Sequence, residues 1–286
     1  MTIPSGLLPA RAPATHKGDV GHVVVVGGSA GLTGAAALCS LGALRTGAGL
    51  VTLGVPKSLH EILEAKLTEV MTVPLAQTPS RSLSPAAIPA VLTMLERADV
   101  LALGPGLSQQ PQAKQFVRRL IPKLTRPLVL DADGLNALAG SAKLLQGLEQ
   151  PAILTPHPGE MARLAGLSAA EVQQHRLEVA QRFATNHRVT LVLKGARTVV
   201  ANPDGQTYVN ETGNPGMASG GMGDVLTGMI AALLGQHLAL FDAARLGVYL
   251  HGLAGDLAAE EVGQVGLIAS DLIDTIPLAI RRYQQS

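Results

Sequence analysis

Residues 22–28 read HVVVVGG. Four consecutive β-branched valines favour a strand. They leave it apolar on both faces, the signature of a strand at the centre of a parallel sheet. The run stops at Gly27-Gly28-Ser29, with Gly31 and Gly34 close behind, and AAALCSLGALRT (35–46) then has the composition of a helix. Strand, glycine turn and helix make the first half of a βαβ unit, so the chain is constrained to an α/β architecture with a mostly parallel sheet.

The same grammar recurs. A second strand is expected at Leu50–Val55, then a helix and short strand over 56–72, a Ser/Pro-rich loop over 77–90 and a helix at Ala86–Arg97. Val100–Leu103 is the next strand, ending in Gly104-Pro105-Gly106. A helix at Phe116–Leu124 carries Lys114, Arg118, Arg119 and Lys123 on a solvated face. Strands at Leu128–Leu130 and Ala152–Leu154 end in polar segments, DADGLN and TPHPGE. One amphipathic helix is expected over 169–187. Thr190–Leu193 leads into Lys194-Gly195-Ala196-Arg197-Thr198, with Val199–Ala201 returning antiparallel. Asp204-Gly205 marks a hairpin turn before Thr207–Val209. Two helices close the chain, Phe241–Ala259 and Leu267–Ile280, the second capped by Ser270 with Asp271 in its first turn. There is no internal repeat or low-complexity linker, so residues 1–286 are expected to form one domain, with residues 1–19 as an extended lead-in.

Composition removes several function classes. The formal charge is +1 with no long block of one sign, which argues against nucleic acid as a main partner. No apolar run reaches the roughly 18 residues of a membrane span. Cys39 is the single cysteine, so no intrachain disulfide forms, and a reducing cytoplasm is the simplest location. The spacing Gly28-x-x-Gly31-x-x-Gly34 is not the dinucleotide fingerprint. No acidic residue follows where a ribose needs it, and no phosphate-loop lysine motif is present.

The most informative stretch is NPGMASGGMGDVLTG, residues 214–228, with five glycines and a proline in fifteen residues. Val225, Leu226, Met229, Ile230, Leu233 and Leu234 follow at helical spacing, so a helix starts near Gly221 or Met222. A glycine loop entering a helix presents unpaired N–H groups at the positive end of the helix dipole, a site for phosphate. Asp224 in the first turn either favours that dipole or orients an attacking hydroxyl. Asp131, Asp133 and Asn136 at a strand end could hold Mg²⁺ through water or hold a substrate. Alternatively, Asp133 caps the helix that follows. His157, between two prolines, is held stiffly enough to hydrogen-bond a ligand. Lys194 and Arg197 either meet phosphates or form a basic surface turn. Gathered on one sheet edge, these groups point to a nucleotide-using enzyme acting on a second small molecule.

GGSAGLTGAA, GPGLS, DADGLNAL, TPHPGEMARL, LKGARTVVA, NPGMASGGMGDVLTGMIAALL, GVYLHGLAGDLAA and GLIASDLI span nearly the whole chain in order. Together they resemble the ADP- or ATP-dependent NAD(P)H-hydrate dehydratases of the ribokinase-like superfamily, in the stand-alone form without an epimerase domain. The resemblance implies a ribokinase-like three-layer sandwich, with a mostly parallel central sheet and helices on both faces. It implies repair of the S-epimer of hydrated NADH or NADPH, by phosphorylation of the hydrate hydroxyl and loss of phosphate. Asp224 would orient or deprotonate that hydroxyl, although the low intrinsic pKa of an aspartate makes it a weak base. The amides of Gly220 to Gly223, Gly221 and Gly223 above all, would stabilise the transferring phosphoryl group. Ala36, Gly106, His157 and Asp224 would contact the hydrated dinucleotide. Lys194, Gly195, Ala196, Arg197, Thr198 and Gly223 would line the nucleotide site. Mg²⁺ would bridge the phosphates of ADP or ATP without an assigned protein ligand. A cytoplasmic homotetramer, paired functionally with an NAD(P)H-hydrate epimerase, is also implied. Ser108 departs from the more usual GPGLG. A kinase of a small alcohol or vitamin precursor shares the loop and its aspartate, and is the alternative. A nucleotide-binding sensor without chemistry is a third, disfavoured by the intact Asp224 loop.

Overall fold

The computed structural model describes residue 3, residues 5–8 and residues 11–285. In chain order the elements are β1 (His22–Val26), α1 (Thr33–Arg45), β2 (Leu50–Pro56), α2 (His60–Lys66), β3 (Met71–Leu75), α3 (Ile88–Leu95), β4 (Val100–Leu103), α4 (Pro111–Leu120), β5 (Leu128–Leu130) and α5 (Ala132–Ala137). They continue with β6 (Ala152–Leu154), α6 (Pro158–Ala165), α7 (Ala169–Gln174), α8 (Arg176–His187), β7 (Thr190–Leu193), β8 (Val199–Ala201), β9 (Thr207–Val209), α9 (Met222–Gly235), α10 (Leu240–Val262) and α11 (Ala269–Gln284).

Among the described residues nine strands join one sheet, in the order β3-β2-β1-β4-β5-β6-β7-β8-β9. Strands β1 to β7 run parallel, and β8 and β9 are antiparallel additions at one edge. The valines of β1 alternate between two cores. Val23 and Val25 pack with α1, α9, α10 and α11, while Val24 and Val26 pack with α3, α4, α6 and α8 on the opposite face. β4, β5, β6 and β7 divide in the same way, as Val100 and Ala102 against Leu101 and Leu103 illustrate. Covering both faces is what allows these strands to be apolar throughout.

Because the strands are parallel, their carboxyl ends share one edge of the sheet. There Gly27-Gly28 ends β1 and Gly104-Pro105-Gly106 ends β4, and the Gly28 amide donates to the Pro105 carbonyl over 2.8 Å. The winding reverses between these two strands, which opens a ligand crevice in a sheet of this kind. α1 and α9 cross closely beside it. A Cβ on Gly228 would lie 1.9 Å from the Cys39 carbonyl oxygen, so only glycine fits that crossing.

Several expected boundaries shift. The helix placed at Phe116–Leu124 begins at Pro111, whose fixed φ suits a first helical turn, and ends at Leu120. The single helix over 169–187 is broken at His175 into α7 and α8. Ser270 does not cap the last helix. Ile268 holds the N-cap position, and Asp271 closes the turn by accepting the Ile268 N–H over 3.0 Å. Asp133 is not an N-cap either, because Asp131 occupies that position. Part of the lead-in at 1–19 lies outside the described residues. Within them, Arg11 donates to the Gly47 carbonyl over 2.7 Å.

Candidate active site

The glycine loop ends at Gly221, the N-cap of α9, with φ +91. A side chain is strained in that conformation, so glycine belongs there. Asn214 starts the loop as a turn, its side-chain carbonyl accepting the Gly216 N–H over 2.9 Å. Its amide donates to the Gly255 carbonyl and to Asp256 Oδ1 over 2.9 and 3.0 Å. Asp256 Oδ2 also accepts the Gly213 N–H over 2.8 Å. At the far end, buried His251 on α10 donates from Nε2 to the Met222 carbonyl over 2.9 Å. Burial pushes the His251 pKa down to about 4, so the ring is a neutral donor. The loop is thus tied to α10 at both ends, while at Gly220 an added Cβ would meet nothing within 4 Å.

Beneath this loop lies an ionic cluster. Asp131, at the end of β5, is 1% exposed. Its Oδ1 accepts from Lys194 Nζ over 2.6 Å and its Oδ2 from the Thr227 hydroxyl over 2.8 Å. Lys194 follows β7 and turns inward, with Glu160 Oε2 4.0 Å from the ammonium. A Cβ on Gly223 would sit 3.1 Å from that same nitrogen. The Lys–Arg pair read from the sequence therefore splits. Lys194 is partly buried beside the carboxylates, whereas Gly195, Ala196 and Arg197 form an exposed turn. Thr198 closes the turn by donating to the Gly195 carbonyl over 3.0 Å. Arg176, from the start of α8, braces the turn from behind by donating to the Leu193 carbonyl over 2.9 Å.

Asp224 accepts no hydrogen bond from a described residue. Burial, and then the negative charge of Asp131, push its pKa up to about 7 despite the opposing Lys194. The weak base expected from an ordinary aspartate is thereby corrected. A carboxylate with a proton affinity near neutrality is suited to accept a proton at working pH. Glu160 is also lifted, to about 6, chiefly by burial.

His157 is the N-cap of α6, and its Nδ1 accepts the Gly159 amide over 3.0 Å. The Glu160 carboxylate reciprocates by accepting the His157 N–H over 2.8 Å. Burial, then Lys194 and Arg163, lower the His157 pKa. A neutral ring whose Nδ1 is an acceptor carries its proton on Nε2, which lies 3.5 Å from Glu160 Oε1 on a half-exposed ring. The ring is thus a cap through Nδ1, while its Nε2 side faces the Glu160 carboxylate and solvent. Asp133 Oδ2 accepts the Ser108 N–H over 2.9 Å, and its Oδ1 accepts from Asn136 over 3.2 Å. Ser108 adopts φ +70, which explains why glycine is more usual there. Ala36 is fully buried, its methyl against the backbone of Gly27 and Gly28, and Gly106 sits under the Leu32 carbonyl and the Ala35 methyl. These two mark the crevice between β1 and β4.

The structure therefore brings Asp224, Gly223, Lys194 and His157 around one cluster, with Gly106 linked to it through Ser108 and Asp133. Asp131 gives its two oxygens to Lys194 and Thr227, whereas Asp133 bonds the Ser108 amide and the Asn136 side chain; the described residues hold no group of three His, Cys, Asp or Glu side chains placed for a metal ion. Thr227, Arg176 and His251 were not singled out from sequence. Thr227 and His251 lie inside the recognised motifs, whereas Arg176 lies in none of them and carried no sequence signal.

The sequence model of the NAD(P)H-hydrate dehydratase family matches residues 23–278. The chain belongs to that family. It is 52% identical over 278 residues to the bifunctional NAD(P)H-hydrate repair enzyme of Moorella thermoacetica, covering 97% of this chain and 52% of that protein. It thus spans about half the length of the curated relatives it matches. The ADP/ATP-dependent NAD(P)H-hydrate dehydratase of Bacillus subtilis, co-crystallised with ATP and Mg²⁺, superposes with a TM-score of 0.80 at 34% identity, covering 96% of this chain and 94% of that one. A ribokinase-like superfamily protein of Enterococcus faecalis gives 0.81 at 29% identity, covering 97% and 92%. The ribokinase-like sandwich read from the family's motifs is the observed fold.

Proposed function

We propose that this chain dehydrates the S-epimer of hydrated NADH or NADPH at the expense of ADP or ATP. The observation that carries this is an unpaired carboxylate, Asp224, with proton affinity near neutrality, in the first turn of a helix that opens from an accessible glycine loop. Asp224 takes the proton of the hydrate hydroxyl as its oxygen attacks the terminal phosphoryl group. The bridging P–O bond breaks, releasing AMP from ADP or ADP from ATP. The ring nitrogen's lone pair then expels phosphate. Loss of a proton from the adjacent ring carbon restores the double bond. Phosphate is a good leaving group at neutral pH and hydroxide is not.

The amides from Gly220 to Gly223 stabilise charge on the phosphoryl group, as donors fixed toward developing charge do. The backbone of Lys194 to Thr198 lines the nucleotide, with Gly223 against its phosphates. His157 donates from Nε2 to the hydrated dinucleotide, whose other contacts lie at Ala36 and Gly106. Mg²⁺ bound by nucleotide phosphates and water needs no protein cage. The open face of the loop at Gly220 leaves room for such a complex, and the ion supplies charge neutralisation between the phosphates. Residues 1–286 act as one domain. The protein is a cytoplasmic homo-oligomer, a tetramer, that works alongside an NAD(P)H-hydrate epimerase. Supporting the assembly are the exposed apolar residues Val262, Val265 and Ile268 between α10 and α11.

The test is recovery of absorbance. Chemically hydrated NADH is incubated with the protein, Mg²⁺ and either ADP or ATP, and the dihydronicotinamide band is followed. The reading expects recovery that needs a nucleotide and vanishes in Asp224→Asn. A stable phosphorylated product with no recovery replaces it with the kinase.

A further inference from the structure

Asp131 occupies a position that the surrounding backbone is shaped to create. A Cβ on Gly104 would fall 1.9 Å from the Asp131 carbonyl oxygen, so the end of β4 approaches Asp131 as only glycine allows. The next residue, Ala132, holds φ +49, a left-handed conformation unusual for alanine. Strain of this kind persists where the surrounding structure over-determines it, and it clusters at functional sites. The side chain so aimed is 1% exposed, and both of its oxygens are engaged, by Lys194 from the end of β7 and Thr227 from α9. Lys194 and Asp224 approach the cluster from different elements with opposite charges, yet no ion pair joins them among the described residues.

We propose that Asp131 is a positioning residue for the reaction proposed above: it retains the Lys194 ammonium beneath Gly223, and so leaves the Asp224 carboxylate unpaired. Without the tether, the flexible lysine stem would let the ammonium move to Asp224. A carboxylate locked in that pair is a poor proton acceptor.

The charged and titratable groups around Asp224 come from several elements. Asp131 and Asp133 lie on the turn after β5, Glu160 on α6 and Lys194 at the end of β7. The Cys39 thiol lies on α1 and feels Asp224, and neutral His251 lies on α10. Of these, Lys194 is the cation that lowers the proton affinity of Asp224, while Asp131 raises it. Removing the Asp131 charge therefore acts twice in one direction, by deleting a repulsion and by freeing the cation.

The proposal rests on the dehydratase reading but is tested without catalysis. The titration of Asp224 is followed by carbon-13 carboxylate NMR, assigned with Asp224→Asn, in protein free of nucleotide and substrate. The proteins are wild type, Asp131→Asn, Lys194→Met and the double variant. Asp131→Asn is expected to lower the midpoint pH, so that the proton concentration at half-titration rises at least tenfold. In the Lys194→Met background the same change is expected to have a distinctly smaller effect, because no cation remains to be released. Equal effects in both backgrounds would overturn the proposal, since Asp131 would then act by its own charge alone. Should Asp131→Asn fail to fold, Thr227→Val carries the test. It loosens the tether with every charge kept, and an unmoved Asp224 midpoint refutes the idea. In the dehydration assay, Asp131→Asn is expected to lower kcat at least tenfold with KM for nucleotide changed less than threefold. A titration that behaves as expected in a protein with no dehydration activity sinks the functional reading and leaves the positioning role standing.

Discussion

Replacing Asp224 by asparagine is expected to make the protein more stable while abolishing its turnover. The carboxyl is lifted from 3.8 to about 7, mainly by burial and by the Asp131 charge. Each tenfold change in proton affinity is worth about 1.4 kcal/mol, so the full penalty of ionising Asp224 in the native state is about 4 kcal/mol. The sign follows from proton counts. Between about pH 4 and pH 7 the native carboxyl keeps its proton while the unfolded one has lost it, so stability falls as pH rises. Below that window the penalty is absent, and above about pH 8 it is complete. Asparagine has nearly the same shape and no charge to desolvate. Equilibrium urea unfolding of both proteins from pH 4.5 to 8.5 reads the difference directly. The variant should gain little at the acid end and about 2–4 kcal/mol at pH 8, the lower figure allowing for relaxation around the ionised group. Glu160, also lifted, adds a slope in both proteins, and the part of it independent of Asp224 cancels in the difference. A variant no more stable at pH 8, or a gain independent of pH, would refute the reasoning, because neither is produced by a partly buried, unpaired carboxylate.

Three further outcomes follow from particular contacts. If Asp224 is the proton acceptor, kcat/KM for hydrated NADH should rise tenfold per pH unit up to a bend near pH 7, and a profile flat down to pH 5 would exclude it. Gly228→Ala places a methyl 1.9 Å from the Cys39 carbonyl oxygen and should force α1 and α9 apart. A net loss of about 1–3 kcal/mol is expected even after the helix-propensity gain, and urea unfolding with no loss would contradict the close crossing. His157→Ala removes both the α6 cap and the ring donor, costing about 1 kcal/mol in a thermal melt and raising KM for the hydrate. His157→Asn should restore the cap but not the KM, and recovery of both would assign His157 a purely structural role.

Much of the fold was legible because its strands are buried on both faces. HVVVVGG, VLALGPG and LVLDADG each announce a parallel strand and the turn that follows it, and parallel strands collect those turns on one edge whatever the loops do. The helix starting after Gly221 was equally readable, since glycines that relieve a left-handed turn and an apolar 3.6-residue period are local signals. Boundaries at Pro111, His175 and Ile268 were not, because capping there depends on which backbone groups the tertiary packing leaves unpaired. The chemistry of the site divides in the same way. Sequence named Asp224, Lys194 and His157, each by the residues beside it. It could not say that Lys194 is spent on Asp131, 63 positions away, or that His157 caps its own helix through Nδ1. Nor could it say that Asp224 is lifted to about 7, since proton affinity depends on burial and on charges brought in from other strands. The chain's local patterns determined which elements form and where they turn, and the assembled sheet decided which charges meet and therefore what each can do.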